Sequence, residues 1–456
     1  MANKIKATKS EKQTPTKKRN NDVKDTKISS ISAINLSLSV FMLVAGILTP
    51  PLISRYFPQI EGAVSNLQFG KTAPLYEERG SDSSLAEEDE GRMDESIIKC
   101  DEENLSQFYH EEGDSEGAHI FCFHNETLNI YENYHNKVEI VQLKDWEDLM
   151  DVVEGDLGVA PHQQSYSQPW AFFSITGERL VGELDDHGGS FDVLKQHGMV
   201  LLFEGGSFIF PGVRIGFKRR VDLLTGYPGA DQGTTLEIET VSMKPLVVEI
   251  QNFITEKECD HIQRVASPEM QYSEVSLMDH DKGRPSSDFR TSQSMFLKAE
   301  DEVMHALEAR TSSITRVPKK HQEYTQVLRY GNTEKYSAHV DYFDPSLYQQ
   351  DKSTLRLIDN GRKNRLATVF WYLSDVEGGG HTVFPRFNGA PQPHNFDDCT
   401  KGLLVKPQKG KVIIFYSLLP NGKMDELSLH GACPVKEGIK WAANKWVWNA
   451  PMDFVN

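Results

Sequence analysis

The apolar positions of this chain change rhythm four times between its first residue and its last. Between Lys27 and Arg55 no charged side chain occurs, and Ala33 to Leu48 is largely apolar. A span of about 20 such residues suffices to cross a bilayer. From 54 to 117 the pattern reverses. Segments such as Ser81-Asp-Ser-Ser-Leu-Ala-Glu-Glu-Asp-Glu-Gly91 carry charge and almost no apolar residues, so they cannot bury enough surface to fold alone and read as a disordered linker. From 118 to 242 short apolar runs appear: Ile120–Phe123, Val138–Leu143, Trp170–Ile175, Met199–Phe203 and Ser207–Phe210. Their β-branched and aromatic content and Gly or Pro boundaries predict strands. Asp145–Val153 and Ser190–His197 have helical spacing, so this stretch predicts a small α+β domain. Phe203 to Gly212 carries a Gly-bounded hairpin signal; no Gly-Lys-Ser/Thr follows, so it is no phosphate loop.

The fourth rhythm occupies 243–456. It opens with a strand at Leu246–Ile250 and a helix started at Thr255, where Glu258 three positions on completes a capping-box pattern. A second helix is expected over Glu300–Ser312. Beyond it short strands follow one another across Gly and Pro turns, which predicts a double-sheet barrel or jelly roll. The polar stretch from Tyr342 to Asn364 reads as a loop placed to act as a lid.

At 456 residues the chain accommodates two domains with tails. Its net charge of −17 is uneven, with nine Lys or Arg in residues 1–27 and dense Glu and Asp over 76–117. A globally acidic chain is a poor nucleic-acid binder, so no nucleic-acid partner is expected. The acidic run is a solvated spacer or, alternatively, a docking site for a basic partner. Basic residues ahead of an apolar span keep that side cytosolic. The expectation is a basic cytosolic tail (1–27), a single transmembrane signal anchor (28–53), the linker (54–117), the α+β domain (118–242) and the last domain (243–456), with everything after the anchor in a secretory lumen. A cleaved signal peptide and a Lys- and Ser-rich transit peptide are the alternatives. The sequons Asn104-Leu-Ser106 and Asn125-Glu-Thr127 agree with a lumenal location. Five cysteines, at 100, 122, 259, 399 and 433, permit one or two bridges and leave an odd thiol; Cys100 and Cys122 form a plausible local pair.

The candidate chemistry sits in the last domain. His339 and Asp341 stand two residues apart in Tyr336-Ser-Ala-His-Val-Asp-Tyr-Phe, and neighbours at i and i+2 of a strand share one face. His430, in Leu427-Ser-Leu-His-Gly-Ala-Cys-Pro, supplies a third possible ligand. Two imidazoles and one carboxylate leave open positions, the arrangement of non-heme iron(II) oxygenases. Zinc accepts the same donors. Lys440, ten residues past His430, could pair with the far carboxylate of a 2-oxo diacid, which a hydrolytic zinc site has no use for.

From about 245 to 451 the chain resembles the catalytic domain of the prolyl 4-hydroxylases, 2-oxoglutarate- and iron(II)-dependent dioxygenases. The resemblance rests on ordered blocks: Phe253–Cys259, Phe289-Arg-Thr-Ser292, Val327–Tyr330, Arg365–Pro385, Gly402–Pro407 and the His430 block through Lys440-Trp-Ala-Ala-Asn-Lys-Trp446. It implies a double-stranded β-helix with flanking helices, which with the preceding unit makes an α+β class overall; the anchor and basic tail, read from the residues, predict a single-pass type II protein of the endoplasmic reticulum or Golgi membrane. The resemblance implies iron(II) on His339, Asp341 and His430, and 2-oxoglutarate on Lys440 with Tyr330 and Thr382 as hydrogen-bonding helpers. Ascorbate is implied as the reductant, and Arg290, Ser292, Arg365 and Trp446 as the lining of a groove for proline-containing peptides. Three positions depart from the family pattern: Thr333 stands where Gly is usual, Ala338 where Pro is frequent, and His381 where Glu is common. His381 follows three glycines and is expected in a loop with no ligand role. Two rival readings are a 2-oxoglutarate oxygenase acting on another residue or a small molecule, and a non-catalytic lumenal binding protein. The sequence leaves the oligomeric state open.

Overall fold

The computed structural model describes residues 99–452 apart from 109–115, 125–126, 133–135, 142, 160–169, 182–189 and 224–233. The tail and the span proposed as an anchor lie outside the described residues, as does nearly all of the linker. Among the described residues no helix is long and apolar enough to cross a membrane. Residues from 91 onward form a compact unit of their own.

Its first part is a six-stranded antiparallel sheet in the spatial order Asn136–Val141, Thr127–Glu132, Ala118–Phe123, Met199–Phe203, Ala171–Ser174, Arg179–Val181. Successive side chains of a strand point to opposite faces, and here both faces are covered. Phe121, Phe172, Val200 and Leu202 pack with Leu149, Val153, Phe191 and Leu194, the last four from or beside the helical segments Trp146–Met150, Asp151–Asp156 and Ser190–His197. The alternate set, including Ile120, Cys122, Phe173, Leu201 and Phe203, enters a large core shared with the rest of the molecule. Burial on both faces is why these strands read as unbroken apolar runs. Ser207–Phe210, expected as a strand, lies outside any sheet, with Ser207 in a bend. Its Phe208, Ile209 and Phe210 are buried in the shared core, and the Phe210 amide donates to the Tyr416 hydroxyl at 3.2 Å.

The second part is a nine-stranded antiparallel sheet and a facing four-stranded one. The large sheet runs Gln271–Tyr272, Gln293–Leu297, Thr325–Tyr330, Lys440–Trp448, Arg365–Tyr372, Val412–Tyr416, Val247–Ile250, Thr235–Ser242, Lys218–Asp222. The last two strands correct the domain boundary drawn at 242. They precede it in sequence yet pair into the large sheet, so the α+β unit ends nearer 217. The small sheet runs Tyr336–His339, His430–Ala432, Thr382–Phe384, Leu403–Val405. Alternation along Arg365–Tyr372 shows how the layers are built. Val369 and Trp371 face the shared core, where helices Glu256–Ala266 and Glu302–Thr315 bury Ile262, Met304 and Leu307. Phe370 and Tyr372 face the small sheet and meet Phe384 and Val405. This is the double-sheet arrangement expected, and the space between its sheets is where the site lies.

Both halves of the capping box at Thr255 and Glu258 are present. The stretch from Tyr342 to Asn364 contains short helical turns at Pro345–Leu347, Lys352–Leu357 and Asp359–Gly361 rather than a plain loop. It is anchored by Phe343, Tyr348 and Ile358, packed with Trp448. Disulfides join Cys100 to Cys122 and Cys399 to Cys433, and Cys259 is a buried free thiol. The first is the expected pair; the second ties residues brought together only by the fold.

Candidate metal centre and its pocket

The Tyr336–His339 and His430–Ala432 strands pair antiparallel, with His339 directly opposite His430 and a bulge between Tyr336 and His339. Asp341 lies just past the strand end, in a bend. One of its carboxylate oxygens is 3.7 Å from His339 Nε2, and the other is 3.6 Å from His430 Nε2. One donor atom from each residue falls within 4.8 Å of the others.

Each imidazole is oriented by the chain just before it. His339 Nδ1 lies 2.9 Å from the Ser337 carbonyl and His430 Nδ1 2.9 Å from the Ser428 carbonyl. A carbonyl only accepts, so each Nδ1 carries a proton, which leaves Nε2, on the Asp341 side, as the atom available to a metal. Thr368 donates its hydroxyl to Asp341 Oδ2 at 2.6 Å. Burial, reinforced by the neighbouring His430, pushes His339 well below the ordinary imidazole range. For Asp341 burial acts against ionisation, but the facing imidazoles, Arg365 and the Thr368 hydroxyl overcome it and hold its carboxyl low. Neutral imidazole and ionised carboxylate are the forms a divalent cation requires.

Lys440 starts the strand beside Thr325–Tyr330, directly opposite Tyr330. It is 0% exposed and its ammonium has no hydrogen-bond partner among the described residues. The ammonium stands 5.4 Å from the Tyr330 and Phe370 ring centres and 5.6 Å from that of Tyr372. Burial pulls its pKa down to about 7. Thr382 is buried and accepts the Tyr372 hydroxyl at 2.7 Å. The same aromatic cluster reaches the metal centre, since Phe415 lies 4.4 Å from the His430 ring. A buried cation without a partner is costly, so this pocket is built for an anion. An unpartnered ammonium suits a carboxylate, and the His, Asp, His set suits iron(II).

The expected groove residues also border the centre. Arg290 is buried, donates from Nε to Ser292 Oγ at 2.8 Å, and lies over the Tyr336 ring at 4.6 Å. Arg365 stacks on Trp446 at 3.5 Å, and its Nη1 is 3.3 Å from the Asp341 carbonyl. Glu323, which the sequence did not single out, receives both Arg365 Nε and Nη2, at 2.6 and 3.0 Å, and the Trp448 indole at 2.7 Å. Nothing near it in sequence signals this, because its partners lie 42 and 125 residues away. Nor did the sequence single out Tyr372, which stands inside the Arg365–Pro385 block, or Tyr336, which opens the His339 strand. His381 lies between strands, and its carbonyl accepts from the Cys433 amide; it is not among the residues grouped for a metal.

A family model described as the 2OG-Fe(II) oxygenase superfamily matches residues 325–448. Probable prolyl 4-hydroxylase 4 of Arabidopsis thaliana is 40% identical over 220 residues, covering 46% of this chain and 70% of that protein. Probable prolyl 4-hydroxylase 7 of the same plant is 38% identical over 216 residues, covering 46% of this chain and 65% of that protein. The solved viral collagen prolyl hydroxylase of Paramecium bursaria Chlorella virus-1, in its 2OG complex, is 27% identical, with a TM-score of 0.32, covering 44% of this chain and 95% of that one.

Proposed function

The chain belongs to the prolyl 4-hydroxylase family of 2-oxoglutarate- and iron(II)-dependent oxygenases, and on that footing we propose that it hydroxylates peptidyl proline at C4. The observation that carries this reading is the unpartnered Lys440 ammonium, buried among rings of an apolar cluster whose Phe415 reaches His430 of the His, Asp, His set. His339, Asp341 and His430 would hold the iron, and Lys440 the distal carboxylate of 2-oxoglutarate. Bound together, iron(II) and 2-oxoglutarate supply the oxidation: dioxygen gives one oxygen atom to the proline and one to succinate, carbon dioxide leaves, and ascorbate restores any iron lost to oxidation. The protein's own part is position and exclusion of water. Ser337 and Ser428 carbonyls fix the imidazoles, Thr368 fixes the carboxylate, and Tyr330, Phe370 and Tyr372 keep the Lys440 pocket dry. Arg290, Ser292, Arg365 and Trp446 would receive the peptide.

We place the catalytic part in the lumen of the endoplasmic reticulum or Golgi, behind an anchor at 28–53. The basic tail before the apolar span supports this reading, as do two disulfides, which persist in oxidising compartments. Protease added to sealed microsomes is expected to remove only the basic tail; digestion of the catalytic part would reverse the orientation. The activity is tested with proline-rich peptides, following succinate and 4-hydroxyproline together. His339→Ala, Asp341→Ala and His430→Ala are each expected to abolish both products while the fold persists. Hydroxyproline formation by any of the three would remove that residue from the ligand set.

A further inference from the structure

The two histidines of the metal centre are held in different ways. His430 is enclosed by the core, 7% exposed, with Phe415 at 4.4 Å and Phe384 at 5.8 Å from its ring. The His339 side chain keeps 23% of its surface exposed and stands at the open side. The hydrogen bond from its Nδ1 to the Ser337 carbonyl fixes a direction in the ring plane, while tilt about that bond is limited by the rings packed against it, His430 among them with centroids 4.6 Å apart.

Tyr336 supplies the closer constraint. Its ring stacks on the His339 ring with centroids 3.7 Å apart and planes 21° apart. Residues three apart on a regular strand point to opposite faces; the bulge between Tyr336 and His339 brings these two to the same one. The opposing strand makes room for it. A Cβ at Gly431 would stand 3.0 Å from both the Ala338 nitrogen and the Tyr336 oxygen. Tyr336 is itself pinned. Arg290 bridges to it through the backbone and lays its guanidinium over the ring at 4.6 Å. Arg290 is in turn held by Ser292, whose hydroxyl lies 2.9 Å from that of Ser273.

We propose that Tyr336 is a positioning residue of the metal centre: clamped by Arg290, its ring sets the plane of the His339 imidazole so that Nε2 faces Asp341 and His430. This rests on the reading of His339 as a ligand. The stack thus forms a support around the ligand comparable to the carboxylates and carbonyls that orient metal-bound histidines, whose loss weakens metal affinity by about 10–100-fold.

The test is binding of cobalt(II) to the metal-free full chain in detergent, followed by visible absorption without substrate or turnover. Tyr336→Leu is expected to weaken cobalt binding about 10–100-fold and to alter the absorption band. Tyr336→Phe keeps the stack and is expected to bind as the unaltered protein does. Should the leucine variant fail to fold, Tyr336→Met fills the site with a flexible apolar chain and carries the same expectation. Unaltered cobalt affinity in the folded leucine or methionine variant, even with a raised KM for peptide, would make Tyr336 a peptide contact and overturn the proposal. Unaltered affinity in His339→Ala would overturn the ligand assignment itself, and the proposal with it.

Discussion

Lys440, proposed to hold the distal carboxylate of 2-oxoglutarate, is the residue at which that reading is tested most directly. Removing one partner of a buried ion pair costs about 3–5 kcal/mol, which is at least about a hundredfold in affinity. Lys440→Ala is therefore expected to raise the 2-oxoglutarate requirement by that factor and leave iron binding nearly unchanged; an unchanged requirement would sink the assignment. The pH dependence is equally specific. Burial lowers the ammonium to about 7 in the empty pocket, and a bound carboxylate raises it again, so binding takes up a proton above that pH. Affinity is expected to be flat below about pH 7 and to weaken by up to tenfold per unit above it, as anaerobic calorimetry would show. Lys440→Arg, whose guanidinium stays charged, is expected to lose that dependence. The sequence made Lys440 legible through its distance from His430. Its burial was not legible, because the Tyr330, Phe370 and Tyr372 rings that enclose it come from two other strands.

At the scale of elements, the Glu256–Ala266 helix shows one carboxylate with several duties. Glu258 accepts the Thr255 amide at 2.8 Å and closes the capping box. It also takes both terminal nitrogens of Arg310 from the Glu302–Thr315 helix, at 3.1 and 3.0 Å. Capping alone is worth about 1 kcal/mol, whereas breaking a largely buried pair costs about 3–5 kcal/mol, so the ion pair dominates. Glu258→Gln is expected to lower the melting temperature by the larger amount while the cobalt-binding site survives. Burial opposes ionisation of Glu258, but Arg310 and Thr255 outweigh it and hold its pKa below the ordinary 4.5. Its contribution is thus complete above that pH and disappears as pH falls through the lower folded value. The stability gap between the two proteins is expected to shrink on acidification below about pH 4.5; a constant gap would show that the charge contributes nothing. The capping box was readable from two residues three apart, and Arg310 was not, for it lies 52 residues on. The bulge in the ligand strand left no mark in the apolar pattern, since it depends on Gly431 across the sheet. The three glycines at 378–380 were visible without a reason. A Cβ at Gly379, where φ is +74°, would sit 2.3 Å from the Pro434 oxygen.

For the molecule as a whole, the residues before 243 are not a detachable module. Gly205 donates its amide to the Pro420 carbonyl at 2.7 Å. Arg316 donates to the Thr176 and Asp222 carbonyls at 2.8 and 3.0 Å, and one apolar core runs through both parts. Calorimetry of the full chain is expected to show the residues on both sides of 243 melting in one transition, and a chain begun at 243 is expected to aggregate, having lost two sheet strands and the cover over that core. Two separate transitions would refute the shared core. Strand content was legible because it follows local apolar runs; the core shared across residue 243 was not. The true join was not, because the 218–222 and 235–242 strands resemble their sequence neighbours and differ only in their pairing partners. The large sheet also constrains how the protein can be made. Its Lys440–Trp448 strand lies between Thr325–Tyr330 and Arg365–Tyr372, so two strands translated much earlier wait for the piece that joins them. Until it leaves the ribosome they expose unpaired edges and apolar faces, the features that invite aggregation. A growing chain arrested before residue 440 therefore lacks the strand that joins these two, and Lys440 with it.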